Sequence, residues 1–211
     1  MKIVPPKISP TLPLKPFSTT YSEEEPMLEM CKVVNDEAIE AFFDRPRFYN
    51  MEFDHCQFTN SDFSQVEFVD VRFKNCDLSN VNMTKASIHR VEFINCKLLG
   101  TTFQESTIKN VTFKDCLINL AAFGYAKMEN NQFCHCSLEN ADLYHCHFKG
   151  IIFDNCELNE ANFQQTSLKG VDLSSSNFET LSITSNELKG CQVSTYQALK
   201  FSTLLGLIIK E

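Results

Sequence analysis

The chain has no tryptophan and only 6 glycines in 211 residues. It has no apolar run near the ~20 residues that cross a bilayer, so no membrane span is expected. Behind Met1, Lys2, Ile3 and Val4 it runs straight into Pro5 and Pro6. That is not the apolar core of a secretory signal. Basic residues are in deficit, with 19 Lys and Arg against 27 Asp and Glu and a formal net charge of −8. A protein that neutralises phosphates needs a basic surface, so direct nucleic-acid binding is not expected. There is no phosphate-cradling glycine loop, nucleophile elbow or acid/base pair. No enzyme activity and no cofactor are implied.

Phenylalanine and cysteine are abundant instead, at 19 and 10. Ten cysteines without an export signal point to reduced thiols in a cytoplasmic setting, not to a disulfide framework. The phenylalanines reveal the plan of the chain. From Phe48 to Val193 every residue whose number ends in 3 or 8 is apolar, and fifteen of the 19 Phe stand in that column. This makes 30 units of five residues, from 46 to 195, with no insertion. Two residues before the large side chain a second column holds mainly small or β-branched residues, as at Cys56, Ser61, Val66 and Val71. The last position of a unit is Asn nine times and Gly four times, residues that accept a left-handed turn.

A period of five fits neither a helix nor a plain strand. It fits a coil that turns a corner in every unit and closes after four units. The large residue and the small one then point inward, and the other three face water. Two ladders agree with a 20-residue turn. Cys56, Cys76, Cys96, Cys116, Cys136 and Cys156 form one column. Phe53, Phe73, Phe93, Phe113, Phe133 and Phe153 form another. Both read as structural core.

Ala141-Asp142-Leu143, Ala161-Asn162-Phe163 and Val171-Asp172-Leu173 resemble the pentapeptide-repeat pattern A(D/N)LXX. The resemblance implies an all-β solenoid, a right-handed quadrilateral β-helix. The expected organisation is a Pro-rich N-terminal extension and cap at 1–45, the repeats at 46–195, and a C-terminal α-helix at 196–211. Thirty units make about 7.5 coils, a rod of about 36 Å at sheet spacing.

The tail narrows the resemblance. Ser194 or Thr195 can cap a helix that starts near Tyr196. Tyr196-Gln197-Ala198 and Leu205-Gly206-Leu207-Ile208 look like the tail of the Qnr-type quinolone-resistance proteins, and the unbroken units look like their loopless members. That likeness implies a DNA-mimicking homodimer, paired through Tyr196, Leu199, Leu204, Leu205, Leu207 and Ile208. It would bind DNA gyrase or topoisomerase IV and lower quinolone inhibition. Capping without pairing is the plainer reading of the tail, since the open end of a repeat stack needs cover.

Sorting outward residues by a 20-residue turn leaves three acidic faces, at −4, −3 and −2, and one basic face at +3 with Lys149, Lys169 and Lys189 in a column. Candidate partner-binding residues are Asp77, Glu139, Asp154, Glu157, Glu160, Asp172 and Glu179. Duplex DNA of the rod's length would carry about 21 charges, so any mimicry rests on shape and on local acidic columns. A generic interaction scaffold, meeting its partner through the Pro-rich arm or the lysine column, is the alternative. Immunity against a gyrase-directed toxin would use the same acidic surface.

Six of the seven prolines fall between Pro5 and Pro26, which predicts an extended arm. A helix is expected from Glu23 to about Glu40, and Phe43 as a first irregular repeat. Cys134-His135-Cys136 and His145-Cys146-His147 have the look of metal ligands. The register places their side chains on different sides of the wall, so no metal site is expected. Cys134 is the outward thiol and a candidate reactive one.

Overall fold

The computed structural model describes residues 2–22 and 26–209. From Met30 to Gly170 every fifth residue has φ between +47° and +78°. Each of these left-handed residues bends the chain, and four bends close a turn. We number the four faces from the first turn: residues 26–30, 31–35, 36–40 and 41–45, each repeating every 20.

Eight strands build the wall: β1 (Met27–Glu29), β2 (Lys32–Val34), β3 (Arg47–Asp54), β4 (Glu67–Lys74), β5 (Ser87–Ile94), β6 (Thr107–Lys114), β7 (Lys127–Cys134) and β8 (His147–Asp154). All pair in parallel with partners 20 residues apart, such as Phe48↔Phe68 and Phe73↔Phe93. The six longer strands wrap the corner between the first and second faces. The other two faces are joined by single bridges, for example Gln57↔Asp77 and Asp62↔Asn82.

The repeat pattern has a local cause. Where Asp or Asn precedes the large residue, it can accept the N–H two positions later: Asp62 from Ser64 at 2.8 Å, Asn82 from Thr84 at 3.0 Å, Asp172 from Ser174 at 2.8 Å. Such Asx turns fix the bend from within the unit. Asparagine amides also stack between turns, as in Asn95 Nδ2 to Asn75 Oδ1 at 2.8 Å.

Inside, most rings on one face stack and many on adjoining faces meet edge-on. Phe53, Phe73, Phe93, Phe113, Phe133 and Phe153 form a continuous column with centroids 4.8–5.2 Å apart. Phe53 and Phe58 meet at 83°. Both geometries are favourable for aromatic pairs. The small-residue column does more than make room. Its donors satisfy carbonyls that turn inward at the corners: Ser61 Oγ donates to Ala38 O at 2.6 Å, Thr101 Oγ1 to Leu78 O at 2.8 Å, and Cys116 Sγ to Phe93 O at 3.4 Å. A buried carbonyl without such a partner is costly.

Two expectations need correction. The helix expected from Glu23 to Glu40 does not form. Residues 23–25 lie outside the described residues, and β1 and β2 follow as strands. Leu28, Val33, Ala38 and Phe43 are buried in the large-residue column, so the coil already turns from residue 26. Near the other end the pairing keeps its 20-residue register, as in Asp172↔Gln192, while the corners change. Glu160 N bonds Thr180 O and Gly170 N bonds Gly190 O, a 20-residue step where the equivalent corner N–H groups of Asn60, Gly100 and Asn140 use 19. Ser175, Thr180 and Ser185 take the place of Asn155, Glu160 and Gln165 one turn before, and unlike those none of them has a positive φ. Three successive corners lose the left-handed conformation, and Gly190 regains it at φ 81°.

The prolines do form an extended arm, and it lies along the rod. Val4 N donates to Asn110 Oδ1 at 3.3 Å, Lys7 N to Asp70 Oδ1 at 2.8 Å, and Leu14 bridges Lys32. Phe17 then plugs the open first turn, fully buried among Phe43, Phe48, Phe53 and Phe58. Asp70 is the arm's central anchor, since it also takes Arg90 Nε and Nη2, both at 2.6 Å. Burial alone would raise its pKa. The Arg90 fork and the Lys7 N–H outweigh that and hold it below the usual carboxylate range. A carboxyl depressed in the fold contributes stability above its unfolded pKa of about 3.9, and loses it as pH falls through the lower folded value. Thermal unfolding by circular dichroism should therefore show stability dropping below about pH 4, and the drop should be smaller in Asp70→Asn. An identical acid profile in that variant would remove Asp70 as the anchor.

Candidate functional site

The candidate acidic residues fall on two adjoining faces. Asp77, Glu139, Glu157, Glu160 and Glu179 lie on the third, Asp154 and Asp172 on the second. They do not form one unbroken ladder. The bridged column through Asp77 reads Asp77, Lys97, Leu117, Ser137, Glu157 and Asn177. Asp77 is half-buried, accepts from Ser79, and lies 3.8 Å from Lys97. Glu139 accepts from Asn119 Nδ2 at 3.2 Å and Glu157 from Asn177 Nδ2 at 3.0 Å. Asp154 accepts from Asn155 Nδ2 at 2.8 Å. The Ser174 hydroxyl and N–H lower the pKa of Asp172. Glu179 is paired with Lys200 at 2.8 Å, so its charge is neutralised locally. Glu160 is exposed, and among the described residues its side chain has no ion pair.

The first face, on the opposite side of the square, is basic. Lys109 and Lys149 flank Glu129 at 3.1 and 2.9 Å. Lys169 and Lys189 continue the column with no carboxylate partner among the described residues. The rod is therefore polarised across its section.

The C-terminal end is closed by α1 (Thr195–Ser202), which Ser194 caps. Ser194 Oγ accepts from Gln197 N at 3.2 Å, and Gln197 Oε1 accepts from Ser194 N at 2.9 Å, a complete capping box. Gln197 has a second task. Its buried Nε2 donates to Leu173 O and Ser176 O at 2.8 and 2.7 Å. Lys200 Nζ donates to Phe178 O, and Phe201 packs on Phe178. One stripe of the helix thus covers the last turn. The helix gives way after Ser202 to a 3-10 turn, Thr203–Leu205, and a left-handed Gly206. Residues 210 and 211, the end of the expected helix, lie outside the described residues. Tyr196, Leu199, Leu204, Leu205, Leu207 and Ile208 are all exposed, Tyr196 at 64% and Ile208 at 89%. Gln197 went unnoticed in the sequence as a closing residue, although its place three after Ser194 is the capping-box signal.

Among the described residues, no three His, Cys, Asp or Glu side chains gather as a metal site, and no helix is long and apolar enough to cross a membrane.

Two family descriptions match the chain: "Pentapeptide repeat region" over residues 86–163 and 126–203, and "Pentapeptide repeats (8 copies)" over 47–90. The chain belongs to the pentapeptide-repeat family. No curated protein matches it. Among solved structures it is similar to two trypsin-treated variants of QnrB1, a plasmid-mediated fluoroquinolone resistance protein. One is 22% identical, over 85% of this chain and 92% of that one; the other is 20% identical, over 85% and 100%; both have a TM-score of 0.50. HetL of Nostoc sp. strain PCC 7120, a pentapeptide-repeat protein involved in heterocyst differentiation regulation, is 13% identical over 83% of this chain and 92% of its own, with a TM-score of 0.38. At these identities the likeness to QnrB1 is one of fold.

The pentapeptide-repeat core also sets the chemistry of the thiols. All ten cysteines are free, and eight are buried. Burial pushes the Cys146 thiol up to about 12. Cys134 and Cys191 are the half-buried exceptions, and Cys134 lies 3.6 Å from Asp154 Oδ2. Partial burial and Asp154 raise its pKa, so its surroundings do not activate it as a nucleophile. Titration with Ellman's reagent should find Cys134 and Cys191 reacting in the folded protein, more slowly than free cysteine, and the other eight only after denaturation. Rapid reaction of more than two would mean that the ladder opens.

Proposed function

We propose that this protein is a rod-shaped binding protein that docks its acidic side on the DNA-binding surface of a type II topoisomerase, DNA gyrase or topoisomerase IV, and lowers quinolone inhibition of that enzyme. The single observation that carries the reading is the charge distribution. The third face presents carboxylates at Asp77, Glu139, Glu157, Glu160 and Glu179 against one outward lysine, Lys97. Asp154 and Asp172 extend that side around the corner. A duplex-binding saddle is basic, so a stiff acidic rod meets complementary charge there. The pentapeptide-repeat coil shared with QnrB1 and the Qnr-like tail support the same reading. It is a binding function, not an enzymatic one, and it is set in the cytoplasm where such enzymes work.

The terminal helix supports a homodimer. Its Gln197–Lys200–Phe201 stripe is spent on closing the coil, and Tyr196, Leu199, Leu204, Leu205, Leu207 and Ile208 are left for a second copy. The alternative of a free Pro-rich arm as the partner site loses its ground, because the arm's backbone is bonded to Asn110, Asp70 and Lys32. Immunity against a gyrase-directed toxin would use the same acidic surface and is separated only by the challenge applied.

A gyrase supercoiling assay with ciprofloxacin, titrated with the protein, tests the reading. Rescue of supercoiling is expected; no effect with or without the drug would overturn it. Leu204→Asp should convert the dimer to monomers in light scattering after size exclusion. A parent protein that is already monomeric would sink the pairing model.

A further inference from the structure

We propose that the contact centre of the acidic side is an apolar patch of Leu99, Leu117 and Leu120 at mid-height of the third face. Its counterpart would be a protein surface that sets an apolar side chain among lysines or arginines. The proposal rests on the reading of this side as the topoisomerase-binding one.

Leu117 and Leu120 are 46% and 66% exposed, and Leu99 beside them is half-buried. From Asp77 to Glu160 the other outward residues of this face are polar or charged, Gly100 apart. The leucines have no task in the core, which Cys116 and Ile118 fill on the same turn. Leu120 also sits at a left-handed corner, φ 62°. That column favours Asn and Gly, and a bulky side chain is strained there. A leucine two-thirds exposed at a left-handed corner is costly to the fold.

The polar group between them is left incomplete. Asn119 gives its Nδ2 to Glu139, while its Oδ1 is buried with no hydrogen-bond donor. An arriving ammonium or guanidinium that bonds Glu139 takes over from Asn119 and frees the amide to turn its oxygen toward the same cation. Glu157 and Glu160 on one side and Asp77 on the other supply the charged rim. An apolar centre with a polar rim is the ordinary anatomy of a protein interface, and binding energy concentrates in such centres. It also supplies affinity that a rod so much sparser in charge than DNA lacks.

The test measures binding to immobilised DNA gyrase by biolayer interferometry, at low and at high salt. Two variants keep the fold. In Leu120→Asn the new residue suits the left-handed corner, so the melting temperature should hold or rise. In Leu117→Ser the new residue matches Ser137, which occupies the same site one turn on. Each should weaken binding about tenfold at both salt concentrations. Glu157→Gln with Glu160→Gln should weaken it mainly at low salt. Parent-like affinity in both leucine variants would overturn the proposal and leave the topoisomerase reading standing. No binding by the parent protein would overturn both.

Discussion

A chain that bends every five residues must hold one residue per unit in a left-handed conformation, and the other features of this molecule depend on that bend. It places the large side chain and the small one before it on the inner wall. It turns carbonyls inward, where backbone N–H groups and, in part, Ser, Thr and Cys side chains meet them. It keeps turns in a 20-residue register, so that like residues stack on like. Where the bend fails, at Ser175, Thr180 and Ser185, the eight strands have already ended, although single bridges keep the 20-residue pairing as far as Asp172↔Gln192.

This explains which parts were legible in the sequence. The Phe53–Phe153 and Cys56–Cys156 columns have a fixed period, so the four-unit turn follows from spacing alone. The first turn was hidden. Leu28, Val33, Ala38 and Phe43 keep the inner column, but Met27, Met30, Ile39 and Phe42 put apolar residues at outward positions and blur the contrast. The arm was legible as extended and not as docked, because its bonds to Asp70 and Asn110 use backbone groups that carry no sequence signature. Gln197 was visible as a helix-start residue, while its hold on Leu173 and Ser176 depends on where the last turn stops.

The surface separates into tasks. The second and third faces carry the acidic residues, the first carries lysines, and the terminal helix carries an open apolar face. Charge sets the side on which a basic partner is drawn in. The leucines at 117 and 120 give that side a place to hold it. Some carboxylates are offset by neighbours, as Glu179 of the third face is by Lys200 and Glu129 of the first by two lysines.

In a stack where each turn touches only its neighbours, opening starts at an end. The N-terminal arm changes that for one end, because it crosses the turns instead of following them and ties the level of Lys32 to that of Asn110. Those turns have to come apart together. The opposite end has no such lacing and is held by one short helix. The rod is thus directional in its own undoing, and a slow hydrogen-exchange front would enter from the tail. Two copies joined tail to tail would bury both soft ends at once and leave a body that is laced at each extremity.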